Sequence, residues 1–227
     1  MHWLFSDIGS ILETATLVLA ALFPIVNPIG SAAVFLAMIP ESAASMQKVL
    51  AQKIAVYSFF LLFISMLFGG KVLTFFGVSL YAVQIGGGVI VAITGFQMLN
   101  RDAGPTSSTT TTSNDVLDHA FYPYTLPITV GPGSISVAVA LGAHLPTEMH
   151  VDSVFNLELL IAALLGVISV CVLVYICYRW ARSAERLLGK SGTTVLMKLS
   201  SFILLCIGVQ ILCSGVRAFL ANTHIAH

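Results

Sequence analysis

Six long apolar runs, separated by short polar turns, cover most of the chain: Ile8 to Ile39, Leu50 to Phe68, Leu80 to Leu99, Phe121 to Leu145, Leu157 to Tyr178 and Val195 to Leu220. A helix needs roughly 20 apolar residues to cross a hydrocarbon layer about 30 Å thick, so each run is read as a membrane span. The exception to the short turns is Arg101 to Asp118. It contains the polar run GPTSSTTTTSND, which has nothing to bury and is expected to form a flexible linker. The pattern therefore predicts an all-α membrane protein with spans 1 to 3 in residues 1–100, a linker at 101–118, and spans 4 to 6 in 119–227.

Two of the runs carry helix breakers inside their apolar length. Span 1 holds FPIVNPIGS (Phe23 to Ser31) and span 4 holds LPITVGPGS (Leu126 to Ser134). Proline removes a backbone donor and displaces the carbonyl four residues earlier. The carbonyls of Ala20, Pro24, Pro123 and Ile128 are thus expected to lose their partners. In lipid each such group would cost several kcal/mol, so a break is tolerated only against protein or a water-filled cavity. Asn27 before Pro28, and Gly131 before Pro132, also have the form of fresh helix starts. A helix start offers N–H groups and partial positive charge to a carboxylate, while the end of the preceding half-helix offers carbonyls to a cation. The plain alternative is a pair of proline kinks that only shape packing.

The halves resemble each other. ITGFQML in span 3 (Ile93 to Leu99) matches CIGVQIL in span 6 (Cys206 to Leu212), pairing Gly95 with Gly208 and Gln97 with Gln210. The motif spacing is longer in the second half, and the loop from His144 to Asn156 can supply the surplus. With three spans per half, the second half must enter the membrane the other way up, giving a 3+3 inverted repeat with broken helices 1 and 4. Paired breaks at matching positions of such halves are the sequence pointer to a midplane site. The residues expected to meet a solute are Asn27, Pro28, Gly30 and Ser31 from one half, and Thr129, Gly131, Gly133 and Ser134 from the other.

Composition agrees with the spans: 57% of residues are hydrophobic, 9% are charged, and the mean hydropathy is +0.96. Ten basic and ten acidic residues cancel, which gives no sign of a nucleic-acid partner. Their distribution is one-sided. Lys48, Lys53, Arg101, Arg179, Arg182, Arg186, Lys190 and Lys198 adjoin the loops after spans 1, 3 and 5, whereas only Lys71 and Arg217 fall on the other side. By the positive-inside rule those three loops, linker included, are cytoplasmic and both termini are periplasmic. The N-terminus lacks a basic n-region, and its apolar stretch is too long and broken for a cleaved signal peptide, so it is expected to stay as the first span.

The runs PIVNPIGSAAVFL, YAVQIGGGVIVAITGFQML, LPITVGPGSIS and LLCIGVQILCSGV resemble the MarC family of bacterial inner-membrane proteins over nearly the whole chain. The resemblance implies six helices in two inverted repeats, residence in the inner membrane and a role in transport. Some relatives are regarded as carriers of small neutral amino acids. Gln84 stands here where several relatives carry Arg, and Gly86 where they carry Ala.

Other polar residues bear on the chemistry. Gln97, Gln210 and Glu13 lie inside spans and are candidates to line a cavity, although interhelical bonding suits the glutamines better. Glu13 is roughly 16 Å outside Pro24 by helix rise, nearer an interface than the midplane. If it faced the cavity it would be the natural site for a coupling ion, Na⁺ or H⁺. Gly86, Gly87 and Gly88 are expected to allow close helix contact. The four cysteines, Cys171, Cys177, Cys206 and Cys213, lie in apolar runs with no CxxC and read as packing residues. The segment HLPTEMHVD matches no metal-ligand spacing, and no metal or cofactor is expected. No HExxH, GxSxG or P-loop is present, so an enzyme is not expected. The sequence reading is thus a secondary transporter of a small neutral or zwitterionic solute, with lipid and solute as partners and self-association left open. The alternatives are an exporter of other small molecules and a non-transporting membrane interaction protein.

Overall fold

The apolar runs fold as helices because, in lipid, a helix is one of the few ways for a chain to bond all its own backbone groups. The computed structural model describes residues 2–39, 45–100, 115–143 and 153–225; most of the expected linker (101–114) and the loop at 144–152 lie outside them. In order the elements are α1 (His2–Val26), α2 (Pro28–Met38), α3 (Gln47–Phe75), α4 (Leu80–Leu99), one turn α5 (Asp115–Asp118), a distorted segment Ala120–Thr129, α6 (Pro132–Ala143) and α7 (Ser153–Ile225). Among the described residues, five helices are long and apolar enough to cross a membrane: Ile11–Leu36, Gln47–Phe75, Leu80–Leu99, Glu158–Gly189 and Ser191–Asn222. The segment Ala120–Thr129 with Pro132–Ala143, bent by 70°, makes a sixth if the pair is one span. Within α7, Gly189 at φ 69° and ψ 170° separates the two arms, a backbone region open to glycine.

α3 extends beyond the expected Phe68 through Gly69, Gly70 and Lys71 to Phe75. Those glycines do not end the helix. A side chain at Gly69 would collide with Val139, and one at Gly142 with the Met66 carbonyl, so the glycines let α3 and α6 approach closely.

The two breaks, expected to be alike, are unequal. At Asn27 one left-handed residue (φ 47°, ψ 58°) separates α1 from α2. The backbone bonds stop and restart there: Asn27 N–H donates to Phe23 O and Ser31 N–H to Asn27 O, both at 2.9 Å, while Pro28 has no N–H and Gly30 N–H goes to the Asn27 side chain. Asparagine is among the few residues with a side chain that tolerate this conformation. In span 4 the chain is more disturbed. Tyr122 (φ −126°, ψ 125°) and Leu126 (φ −102°, ψ 126°), each followed by proline, are extended rather than helical. Threonines repair part of the ladder: Thr125 Oγ1 donates to Ala120 O and Thr129 Oγ1 to Tyr124 O, both at 2.7 Å.

The packing separates a core from an outer pair. The main buried cluster draws on α1, α2, α3, Ala120–Thr129, α6 and the first arm of α7, with Leu22, Phe35, Ile54, Val167 and Tyr178 among its members. Among the described residues, none of α4 or of the second arm of α7 belongs to it. Instead these two pack antiparallel on each other through glycines. Gly95 lies against Leu205 and the Ser201 carbonyl, Gly208 against Ala92, and Gly88 against Leu212 and the Gly208 carbonyl. Gly87 lies against Ser136 of α6, whereas Gly86 faces open space, so two of the three adjacent glycines serve helix contact and the third does not.

Candidate functional site

Both breaks open onto one cavity of about 490 Å³ between the core and α4. Of the residues expected at a solute site, Asn27, Ser31, Thr129, Gly131, Gly133 and Ser134 all lie on its wall. From α4 come Ile90, Val91, Thr94, Gln97 and Met98, and from the second arm of α7 comes Leu204. None of the lining residues is charged. The volume is in the usual range of about 300–1,000 Å³ for a small-molecule pocket, mostly apolar with a few convergent polar groups.

Asn27 is the least satisfied of those polar groups. It is only 7% exposed, and its Oδ1 accepts from Gly30 N–H at 3.1 Å, capping α2. That bond fixes which side-chain atom is oxygen, so the amide Nδ2 is the remaining one, and it is buried with no hydrogen-bond partner. A buried donor left unmade costs about 1–3 kcal/mol. The site therefore holds a donor that wants an acceptor, beside two helix starts whose partial charge favours the same kind of group.

The hydroxyls of the breaks are tied internally. Ser31 Oγ donates to Asn27 O at 2.8 Å and Ser134 Oγ to Gly131 O at 2.9 Å. Tyr178, fully buried, reaches Thr129 Oγ1 at 2.7 Å, beside the second break. Thr129 already donates to Tyr124 O, so Tyr178 is the donor in the Thr129 bond. Its ring stacks on Phe35 with centroids 4.4 Å apart, and Gln47 Nε2 donates to its carbonyl at 2.7 Å.

Four expected positions lie off the wall. Pro28 and Gly30 are buried but are not on the wall. Gly30 instead seats the Asn27 amide, since a Cβ there would come within 2.5 Å of Nδ2. Glu13 and Gln210 have exposed side chains and do not line the cavity. Periodicity explains both misses: an isolated polar residue in a span shows its depth but not its azimuth, which neighbouring helices set. Gln97 does reach the cavity, at its α4 edge. Thr94 and Tyr178 were not anticipated. Thr94 bonds its own helix at Ile90 O (2.8 Å), and a tyrosine near a span end reads as interfacial. Cys171 is buried and Cys177 half-buried, but Cys206 and Cys213 are exposed on the bundle surface, so only the first two fit the packing role. Among the described residues no three His, Cys, Asp or Glu gather as a metal site.

The MarC family integral membrane protein model matches residues 12–220. The chain is similar to inner membrane protein MarC of Salmonella paratyphi A, at 29% identity over 91% of this chain and 95% of the relative. It is likewise 29% identical to that of Citrobacter koseri and 28% identical to that of Escherichia coli O1:K1, over the same shares. No solved structure matches significantly.

Proposed function

From the premise that this chain belongs to the MarC family of integral membrane proteins, we propose that it is a secondary transporter of a small neutral or zwitterionic solute, working by alternating access. The observation that carries this reading is Asn27, which lines a cavity bounded by two broken spans and whose buried Nδ2 has no hydrogen-bond partner. A solute carboxylate or carbonyl would accept from that amide. The lining has no charge, so a net-charged solute would lack a compensating side chain, whereas a zwitterion can use N–H groups and carbonyls at the breaks. Small amino acids are the first candidates. A coupling ion, Na⁺ or H⁺, would use oxygens of the same wall, because Glu13 faces away.

The architecture supports a moving part. The cavity has the interlocked core on one side and the α4 pair, which contributes nothing to that core, on the other. Rocking of the pair against the core would open the cavity alternately. The inverted-repeat reading draws support from the pair itself. Under the match of Gly95 with Gly208, Ala92 matches Leu205 and Gly88 matches Ser201; the contact of Gly95 with Leu205 then exchanges with that of Gly208 with Ala92, as a two-fold relation requires. The interaction-protein alternative loses ground here, because Gly87, Gly88, Gly95 and Gly208 are used inside the chain.

The test is counterflow in proteoliposomes with labelled glycine or alanine outside and excess unlabelled solute inside. Asn27→Gly is the informative variant, since glycine accepts the left-handed backbone and removes only the amide. Accumulation by the native protein and loss in a folded Asn27→Gly sample is expected. No accumulation across a panel of neutral amino acids would overturn the amino-acid reading, and none across other small solutes would overturn transport.

A further inference from the structure

A second concavity, of about 650 Å³, runs on the outer surface between α3 and the first arm of α7, away from the cavity described above. Val56, Phe59 and Phe60 line it from α3, and Ile168, Val172 and Tyr175 from α7. It is almost wholly apolar, and Val56, Phe60, Ile168 and Val172 are exposed. Residues three or four apart share a helix face. The α3 stripe Phe60, Val56, Gln52 therefore continues to Lys48, and the α7 stripe Ile168, Val172, Tyr175 continues to Arg179 and Arg182. Both continuations lead to the same end of the bundle, because Gln47 Nε2 donates to the carbonyls of Tyr178 and Arg179.

At that end the cations adjoin the groove through Tyr175, which lines it. Arg179 Nη1 donates to Tyr175 Oη at 2.7 Å, and its guanidinium lies over the Tyr175 ring, 5.8 Å from the centroid. Arg182 Nε is buried without a partner. Glu185, three residues beyond Arg182, is the acidic residue nearest in sequence on that arm. An apolar trough ending in two guanidiniums and an ammonium is complementary to a molecule with an aliphatic tail and an anionic head.

We infer that this groove is a binding site for an anionic phospholipid, its acyl chain along Phe59, Phe60 and Val172 and its phosphate at Arg179 and Arg182. Charge decides between lipid and a second copy of the chain. A symmetric dimer through the groove, about an axis along the bilayer normal, would bring Lys48, Arg179 and Arg182 of both copies to the same end, which like-charge repulsion opposes. The positive-inside expectation assigns that end to the cytoplasmic leaflet.

The test is native mass spectrometry of the full chain in detergent, with phosphatidylglycerol or phosphatidylcholine added at equal concentration. Preferential retention of phosphatidylglycerol is expected, with affinity lowered about tenfold or more in the double variant Arg179→Gln, Arg182→Gln. Val56→Trp, which fills the trough and leaves the charges, should also lower retention, whereas Lys71→Gln at the other end should not. Equal retention of the two lipids by the native protein needs no variant and would overturn the site. So would unchanged phosphatidylglycerol retention in both groove variants, or a dimer that Val56→Trp abolishes and the charge-neutralised variant strengthens.

Discussion

Asn27 does two jobs that pull in opposite directions for stability. Its Oδ1 caps α2, and losing such a cap costs about 1 kcal/mol or less when glycine replaces it, while its idle Nδ2 is a standing cost that glycine removes. Asn27→Gly is therefore expected to leave the melting temperature within a few degrees of the native protein while abolishing counterflow. A large drop in both would mean that the residue is structural only. Gly30→Ala gives the complementary case. Its methyl would meet the Asn27 amide at 2.5 Å, so either the side chain or the backbone must shift. Destabilisation by roughly 1–3 kcal/mol is expected, read as a lower thermal midpoint in detergent, together with weaker solute binding. Tyr178→Phe keeps the stack on Phe35 and removes the hydroxyl that bonds Thr129, for a loss of about 1 kcal/mol in thermal unfolding.

Among elements, the glycines of α4 provide an internal control. Gly88 meets the backbone of the second arm of α7, and Gly86, two residues away, meets nothing within 4 Å. Gly88→Leu is expected to force the helices apart and to destabilise by roughly 1–3 kcal/mol or more. Gly86→Ala should stabilise by up to about 1 kcal/mol, from helix propensity alone. Equal effects in thermal unfolding would refute the close packing of this pair. The distorted fourth span makes a parallel point about hydroxyls in place of backbone donors. Thr125 is fully buried with its Oγ1 on Ala120 O, so Thr125→Val removes that bond in the protein interior and is expected to lower the thermal midpoint in detergent.

For the whole molecule, charge asymmetry and architecture make separate statements. The bundle brings Lys198 Nζ onto the Leu99 carbonyl and Gln47 onto Arg179, joining residues that the sequence assigns to one side. In a version lacking the native cysteines, Lys71→Cys is expected to react with a membrane-impermeant maleimide added to intact cells, and Lys48→Cys only after lysis. The reverse pattern would invert the topology while leaving the bundle unchanged. The division into an interlocked core and an α4 pair also predicts where motion occurs. Spin labels at Thr94 and on the core wall should change separation when solute is added, and labels within the core should not.

Apolar length alone determined the five membrane-length helices among the described residues, since a run of about 20 apolar residues has few other ways to bond its backbone in lipid, and it located the bent pair that makes a sixth if counted as one span. The motifs around Asn27 and Pro132 likewise marked where α2 and α6 begin, because proline and a capping residue act through local geometry. The family was legible in those same local strings. What the residues could not convey was direction around each helix axis. Gln97 and Gln210 occupy matching strings, yet one reaches the cavity and the other faces outward, and Glu13 faces away altogether. Nor could they show that the first break would turn on one left-handed residue inside a single span while the second bends by 70°. Only the tertiary structure decided these, because the azimuth of a side chain, the fate of an orphaned carbonyl and the idle amide of Asn27 depend on which neighbours arrive from distant parts of the chain.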